Sequence, residues 1–173
     1  MAGIARTTAT ATRATLLVVA LFLALPTQAQ EVVSILSQKE WSVAGVGISA
    51  DEFGTCAAND ASHSDASIWL QVTETPSQNV INEVSVMHPG DPQATAAILQ
   101  VGSDRFVLAE TEGERFSSTA NDGGKIVAAM LKNASLILQF ESVSMPQPYN
   151  YDLAEFPAAY AALVQHCRAP TNP

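Results

Sequence analysis

The sequence predicts an α+β fold that is mainly β: an antiparallel sheet or β-sandwich with two helices late in the chain. Three observations predict it. Residues 40–109 read as short apolar alternations of period two, separated by glycine, proline and polar clusters. A helical period appears only beyond residue 122. Runs of strands followed by helices give the α+β order, not the strand–helix alternation of a parallel sheet.

The leader is different in kind. Arg6 and Arg13 are the only charged side chains before Glu31, and an apolar run from Leu16 to Leu25 ends at Pro26. Thr27 and Ala29 then supply the small-residue exit of a secretory signal peptide. A membrane span needs about 20 apolar residues, so the shorter run reads as a cleaved leader and not as a retained anchor. The expected organisation is a signal peptide over residues 1–29 and one disulfide-linked, β-rich domain over residues 30–173. The protein is expected in the periplasm or outside the cell, with no transmembrane segment after cleavage.

Charge narrows the partners. Loss of the leader leaves six basic residues, Lys39, Arg105, Arg115, Lys125, Lys132 and Arg168, against 17 acidic ones, a net charge of −11. Nucleic acid and anionic lipid repel such a chain. The expected partner is a protein or envelope component, including a basic one. The two cysteines, Cys56 and Cys167, are an even pair in an exported chain and are expected to form a disulfide. Neither belongs to a CxxC motif, and the neighbours of Cys56 do not lower a thiol pKa.

The elements follow in order. Residues 40–48 predict a first strand whose apolar phase changes near Ala44 and Gly45, the mark of a bulge. A polar loop carrying Cys56 is expected from Ser49 to about Ser67. Ile68 to Thr73 alternates cleanly. Val80 to Met87 is a strand with Val80, Val84 and Val86 on one side and Ile81, Glu83 and Ser85 on the other. His88 to Pro92 is a turn, and residues 97–101 and 105–109 form a hairpin around Gly102. Residues 110–121 read as an exposed loop or strand end. Asp122 is expected to cap a helix over 123–133. Ser135 to Val143 returns to alternation. Phe156, Tyr160, Leu163, Val164 and Cys167 make one apolar stripe of a final helix. Asp152 and Glu155 resemble a capping box for it, while Pro157 suits a first turn that starts near Phe156.

The Trp41-Ser42-Val43 strand after the leader, the cysteine behind it, the segment Lys125 to Asn133, the strand beyond it and the segment Tyr151 to Tyr160 together resemble the invasion-associated locus B family of exported bacterial proteins. The resemblance is strongest over residues 122–167. It implies a small β-rich periplasmic or surface domain and supplies no catalytic residues. The chain departs from the family in its acidity and in having only two cysteines.

No signature for catalysis, a cofactor or a metal emerges. His63, His88 and His166 are far apart, and the loop around Asp60, His63 and Asp65 lacks the ligand pattern of a calcium loop. Gly123-Gly124-Lys125 is too short for a phosphate loop. Glu110, Glu112 and Glu114 read as an acidic edge that discourages strand aggregation. Trp41 and Trp69 lie on strands; either one, if exposed, marks a binding surface. The expected function is therefore a non-enzymatic, envelope-associated binding role. The alternatives are a small hydrolase or metal-dependent enzyme, in which His63 or His88 meets Asp60, Asp65 or Asp91, and an acidic inhibitor of a basic hydrolase.

Overall fold

The computed structural model describes residues 32–49, 52–60, 62, 68–88, 94–112, 114–142 and 147–167. The described residues form ten strands: β1 (Val32–Ser37), β2 (Trp41–Ser49), β3 (Glu52–Asp60), β4 (Trp69–Thr75), β5 (Val80–Met87), β6 (Ala96–Val101), β7 (Asp104–Glu112), β8 (Arg115–Ser117), β9 (Ser135–Glu141) and β10 (Tyr149–Asp152). Helix α1 (Ala120–Met130) lies between β8 and β9, and α2 (Phe156–Cys167) follows β10. The strands form one sheet in the order β1-β2-β3-β4-β5-β8-β7-β6-β9-β10, with every described pairing antiparallel. The mainly β, α+β architecture with late helices is the one the sequence predicts.

Period-two alternation decides the core. Trp41, Val43, Cys56, Ala58, Leu70, Val72, Val84, Val86, Leu99, Leu108, Leu136 and Leu138 point to one buried face. Both helices pack on that face, α1 mainly against β5 and α2 against β2 and β3. The sheet bends until its ends meet. The Trp41 indole Nε1, near one end, donates to the carbonyl of Asp152, near the other, at 3.1 Å. The Trp41 ring also packs on Phe156 of α2, with centroids 4.8 Å apart.

A polar connection ties strands to helices inside this core. Glu74 is fully buried, and its Oε1 accepts the Asn82 backbone N–H at 3.0 Å. The Asn82 Oδ1 accepts the Tyr160 hydroxyl of α2 at 2.8 Å. Asn82 has φ 56, a left-handed conformation that Asn tolerates better than most residues. Its carbonyl oxygen faces Gly123 of α1 so closely that a Cβ there would lie 2.1 Å from it. The glycine is what lets α1 approach β5. Gly102, at φ +60, opens the two-residue loop between β6 and β7, where a hairpin needs glycine at its first position.

Several expectations are corrected. The segment holding Cys56 is a strand: β3 pairs with β2 on one side and β4 on the other. Its run Gly54-Thr55-Cys56-Ala57-Ala58-Asn59-Asp60 has little strand propensity, and the two neighbours supply the order instead. The bulge of β2 falls between Gly47 and Ser49, beyond the predicted Ala44–Gly45, and β3 bulges at Gly54 opposite Val46 and Gly47. Strands β1, β8 and β10 were not expected. Helix α1 starts three residues earlier than predicted, with Thr119 at the cap and Asp122 inside the first turn. Asp152 and Glu155 do not form a capping box. Asp152 Oδ1 accepts from Ala154 N, while Glu155 Oε2 accepts the backbone N–H groups of Glu40 at 2.8 Å and Trp41 at 3.3 Å. Glu110 and Glu112 lie on β7 and pair with β8, so this stretch is not an open edge on that side.

The expected cysteine pair is bridged. Cys56 on β3 joins Cys167 at the end of α2, with Cα atoms 6.1 Å apart. Residues 1–31, which hold the expected signal peptide, lie outside the described residues, as do His63, Asp65, most of the 88–92 turn and Asp91. Among the described residues, no helix is long and apolar enough to cross a membrane.

Candidate functional site

The outer face of β4, β5 and β8 holds the polar residues that alternate with the core. Opposite the buried Leu70, Val84, Val86 and Phe116 stand Trp69, Gln71 and Thr73 on β4, Glu83, Ser85 and Met87 on β5, and Arg115 and Ser117 on β8. Strand pairing sets them in rows. Trp69 lies across from Met87 and Met87 across from Arg115; Gln71 faces Ser85 and Ser85 faces Ser117; Thr73 faces Glu83.

These side chains bond to one another. Arg115 Nη2 donates to Glu83 Oε1 at 3.0 Å and to Ser85 Oγ at 3.2 Å. The Ser117 hydroxyl donates to the same Glu83 oxygen at 3.1 Å. Thr111 Oγ1 lies 3.4 Å from Ser117 Oγ, and Gln71 Nε2 donates to Thr73 Oγ1 at 3.3 Å. Ser85 is fully buried and Thr73 and Ser117 nearly so, although they sit on the face turned away from the core. Among the described residues no donor reaches Glu83 Oε2.

Beside this network lies a cleft of about 390 Å³, lined by Asn79, Val80, Ile81, Glu83, Thr111, Ser117, Ser118, Thr119 and Ala120. Three local features shape it. A 3-10 turn at Pro76–Gln78 ends in Asn79 at φ 55, which starts β5 at an angle to β4. Ser118 Oγ accepts the Val84 backbone N–H at 3.1 Å and holds the segment before α1 against β5. At the first turn of α1, the Lys125 ammonium, and after it the Thr119 hydroxyl, hold the Asp122 carboxyl below the usual carboxylate range. The cleft combines one carboxylate, already joined to a guanidinium, with several hydroxyls and an apolar wall of Val80, Ile81 and Ala120. Its size is within the range of small-molecule sites.

The residues singled out in the sequence divide differently. Trp41 is fully buried among Phe156 and its neighbours and does not form a surface. Trp69 is 49% exposed, on the outer face beside Met87. His88 packs edge-on against Phe140 at 4.6 Å, and its buried Nδ1 has no hydrogen-bond partner among the described residues. Asp60 is buried, and its carboxylate accepts the backbone and hydroxyl donors of Ser62. Burial, and after it the Asp60 charge, pushes the nearby Tyr151 hydroxyl well above its ordinary pKa. His166 is exposed in the last turn of α2. Among the described residues, no three His, Cys, Asp or Glu side chains converge as metal ligands would.

Sequence reading set Glu83 and Ser85 opposite Val84 and Val86, as the structure has them, but attached no site to them; the register shift before Glu83 places Val80 across from Thr75, on the side of Glu83 and not with Val84 and Val86. Arg115 and Ser117 are hidden because Arg115-Phe116-Ser117 is too short to show alternation, and their segment reads as an exposed loop or strand end. Comparison with protein-family models, with curated proteins and with solved structures finds no match.

Proposed function

We propose that the chain is an exported, non-enzymatic binding protein that recognises a protein or envelope component through the outer face of β4, β5 and β8. The observation that carries this reading is the recessed polar network of Glu83, Arg115, Ser85 and Ser117, placed beside a cleft and next to the half-exposed Trp69. Polar groups on a sheet's outward face need no such mutual satisfaction in open water. Fixing them in advance lowers the ordering cost of binding. Glu83 is held in an ion pair with Arg115, which suits orientation better than proton transfer.

Export is supported by the leader's pattern and by the Cys56–Cys167 bridge, since disulfides persist in oxidising compartments. The resemblance to the invasion-associated locus B family points the same way. The acidic balance of the chain favours, as a second reading, capture of a basic protein such as a cationic hydrolase.

The test is capture from envelope extract by the oxidised protein, at low and at high salt. A component retained at high salt supports recognition through the cleft and Trp69. A component lost at high salt supports the acidic-surface reading, because screening weakens exposed charge interactions. Turnover of an envelope substrate that a single substitution abolishes contradicts both.

A further inference from the structure

We propose that the cleft beside β5 and β8 binds a neutral saccharide unit, an inference that rests on the binding-protein reading above. The lining decides the chemistry. Among the described lining residues Glu83 alone has an ionisable side chain, and Arg115 pairs with it at 3.0 Å, so these residues offer no net charge to an ion. An anionic ligand would find no free cation among the described lining residues, and it would meet a strongly acidic protein. A cationic ligand would compete with Arg115 for its carboxylate.

What remains is hydrogen bonding. Both protein donors to Glu83 use Oε1, which leaves Oε2 to accept from a ligand hydroxyl. Thr111, Ser117 and Thr119 donate their protons within the protein, to Arg115 O, Glu83 and Asp122, so their oxygens are left to accept from a ligand, and Asn79 adds an amide. Val80, Ile81 and Ala120 add apolar lining. A sugar ring presents this same pairing of hydroxyl edge and C–H face. The volume of about 390 Å³ accommodates one or two rings. A wholly apolar ligand would leave Oε2 desolvated without a partner, at a cost.

The experiment is a two-dimensional NMR titration of the full oxidised chain with maltose, cellobiose and N,N′-diacetylchitobiose, beside glucuronate and glucosamine as charged counterparts. At least one neutral disaccharide is expected to shift the amides of residues 79–83, 111 and 117–120 saturably, with a dissociation constant on the order of 1 mM. Ile81→Arg, a change at an exposed position of the wall, is expected to weaken that binding by about tenfold or more while its spectrum stays folded. Three results overturn the inference: no saturable shift at the cleft with any disaccharide, equal binding by Ile81→Arg, or tighter binding of a charged sugar. If the sugars fail but Ile81→Arg still loses a component captured from envelope extract, only the saccharide assignment falls. If the sugars fail and Ile81→Arg retains that component, the cleft reading falls with it.

Discussion

Gly123 and Asn82 meet where α1 crosses β5, and the contact leaves no room for a methyl group. A Cβ at residue 123 would stand 2.1 Å from the Asn82 carbonyl oxygen, a backbone atom that cannot swing aside. Gly123→Ala should therefore destabilise the protein by about 1–3 kcal/mol, even though alanine is the better helix former. Urea unfolding of the two proteins measures this directly. Tyr151 carries a second residue-level consequence. Burial, reinforced by Asp60, raises its pKa in the folded state above the ordinary value of 10.0. Below about pH 10 the hydroxyl is neutral in both folded and unfolded chains, and its contribution is intact. Above that, the unfolded chain ionises first, so stability falls as pH rises. Tyr151→Phe should flatten the alkaline limb of a stability–pH curve, and an unchanged limb would show that Tyr151 does not drive it.

At the scale of elements, the short connections matter most. Glu155 precedes α2 and reaches across to β2, where one carboxylate oxygen accepts two backbone N–H groups. Glu155→Ala should cost about 1.5–3 kcal/mol, the worth of hydrogen bonds to a charged group, and should speed amide exchange at Glu40 and Trp41. Glu155 could not be given this role from sequence, because its spacing to Asp152 imitates a capping box. The same limit governs the elements that were and were not legible. β4, β5, the β6–β7 hairpin, β9 and α2 carry clear apolar periods and were readable. β3 is ordered by its neighbours despite a run of small and polar residues, β8 is three residues long, and β10 follows Pro148 with only Tyr149 and Tyr151 to suggest it. The candidate site inherits this gap. Its β4 and β5 residues were visible as a strand face, but Arg115 and Ser117 join them only through pairing of a strand too short to announce itself.

For the whole molecule, the bridge between Cys56 and Cys167 spans 111 residues and fastens α2 to the sheet. Replacing both cysteines by serine should lower stability by up to ~4.7 kcal/mol, the chain-entropy value for a loop of about 100 residues. Thermal melts with and without reductant should show the same loss in the unaltered protein and none in the double variant. A stabilised scaffold of this kind presents its outer face as a fixed surface, and the account stands on which part of that surface works. The most direct measurement is capture of the envelope component by four proteins: unaltered, Ile81→Arg, Trp69→Ala and Ile137→Arg. Ile137 is exposed on β9, two strands beyond the last strand that lines the cleft, and serves as the control. Ile81→Arg and Trp69→Ala should each lose capture by about tenfold, while Ile137→Arg should keep it. Capture that survives at Ile81 and Trp69 but disappears at Ile137 would contradict recognition through the cleft and Trp69.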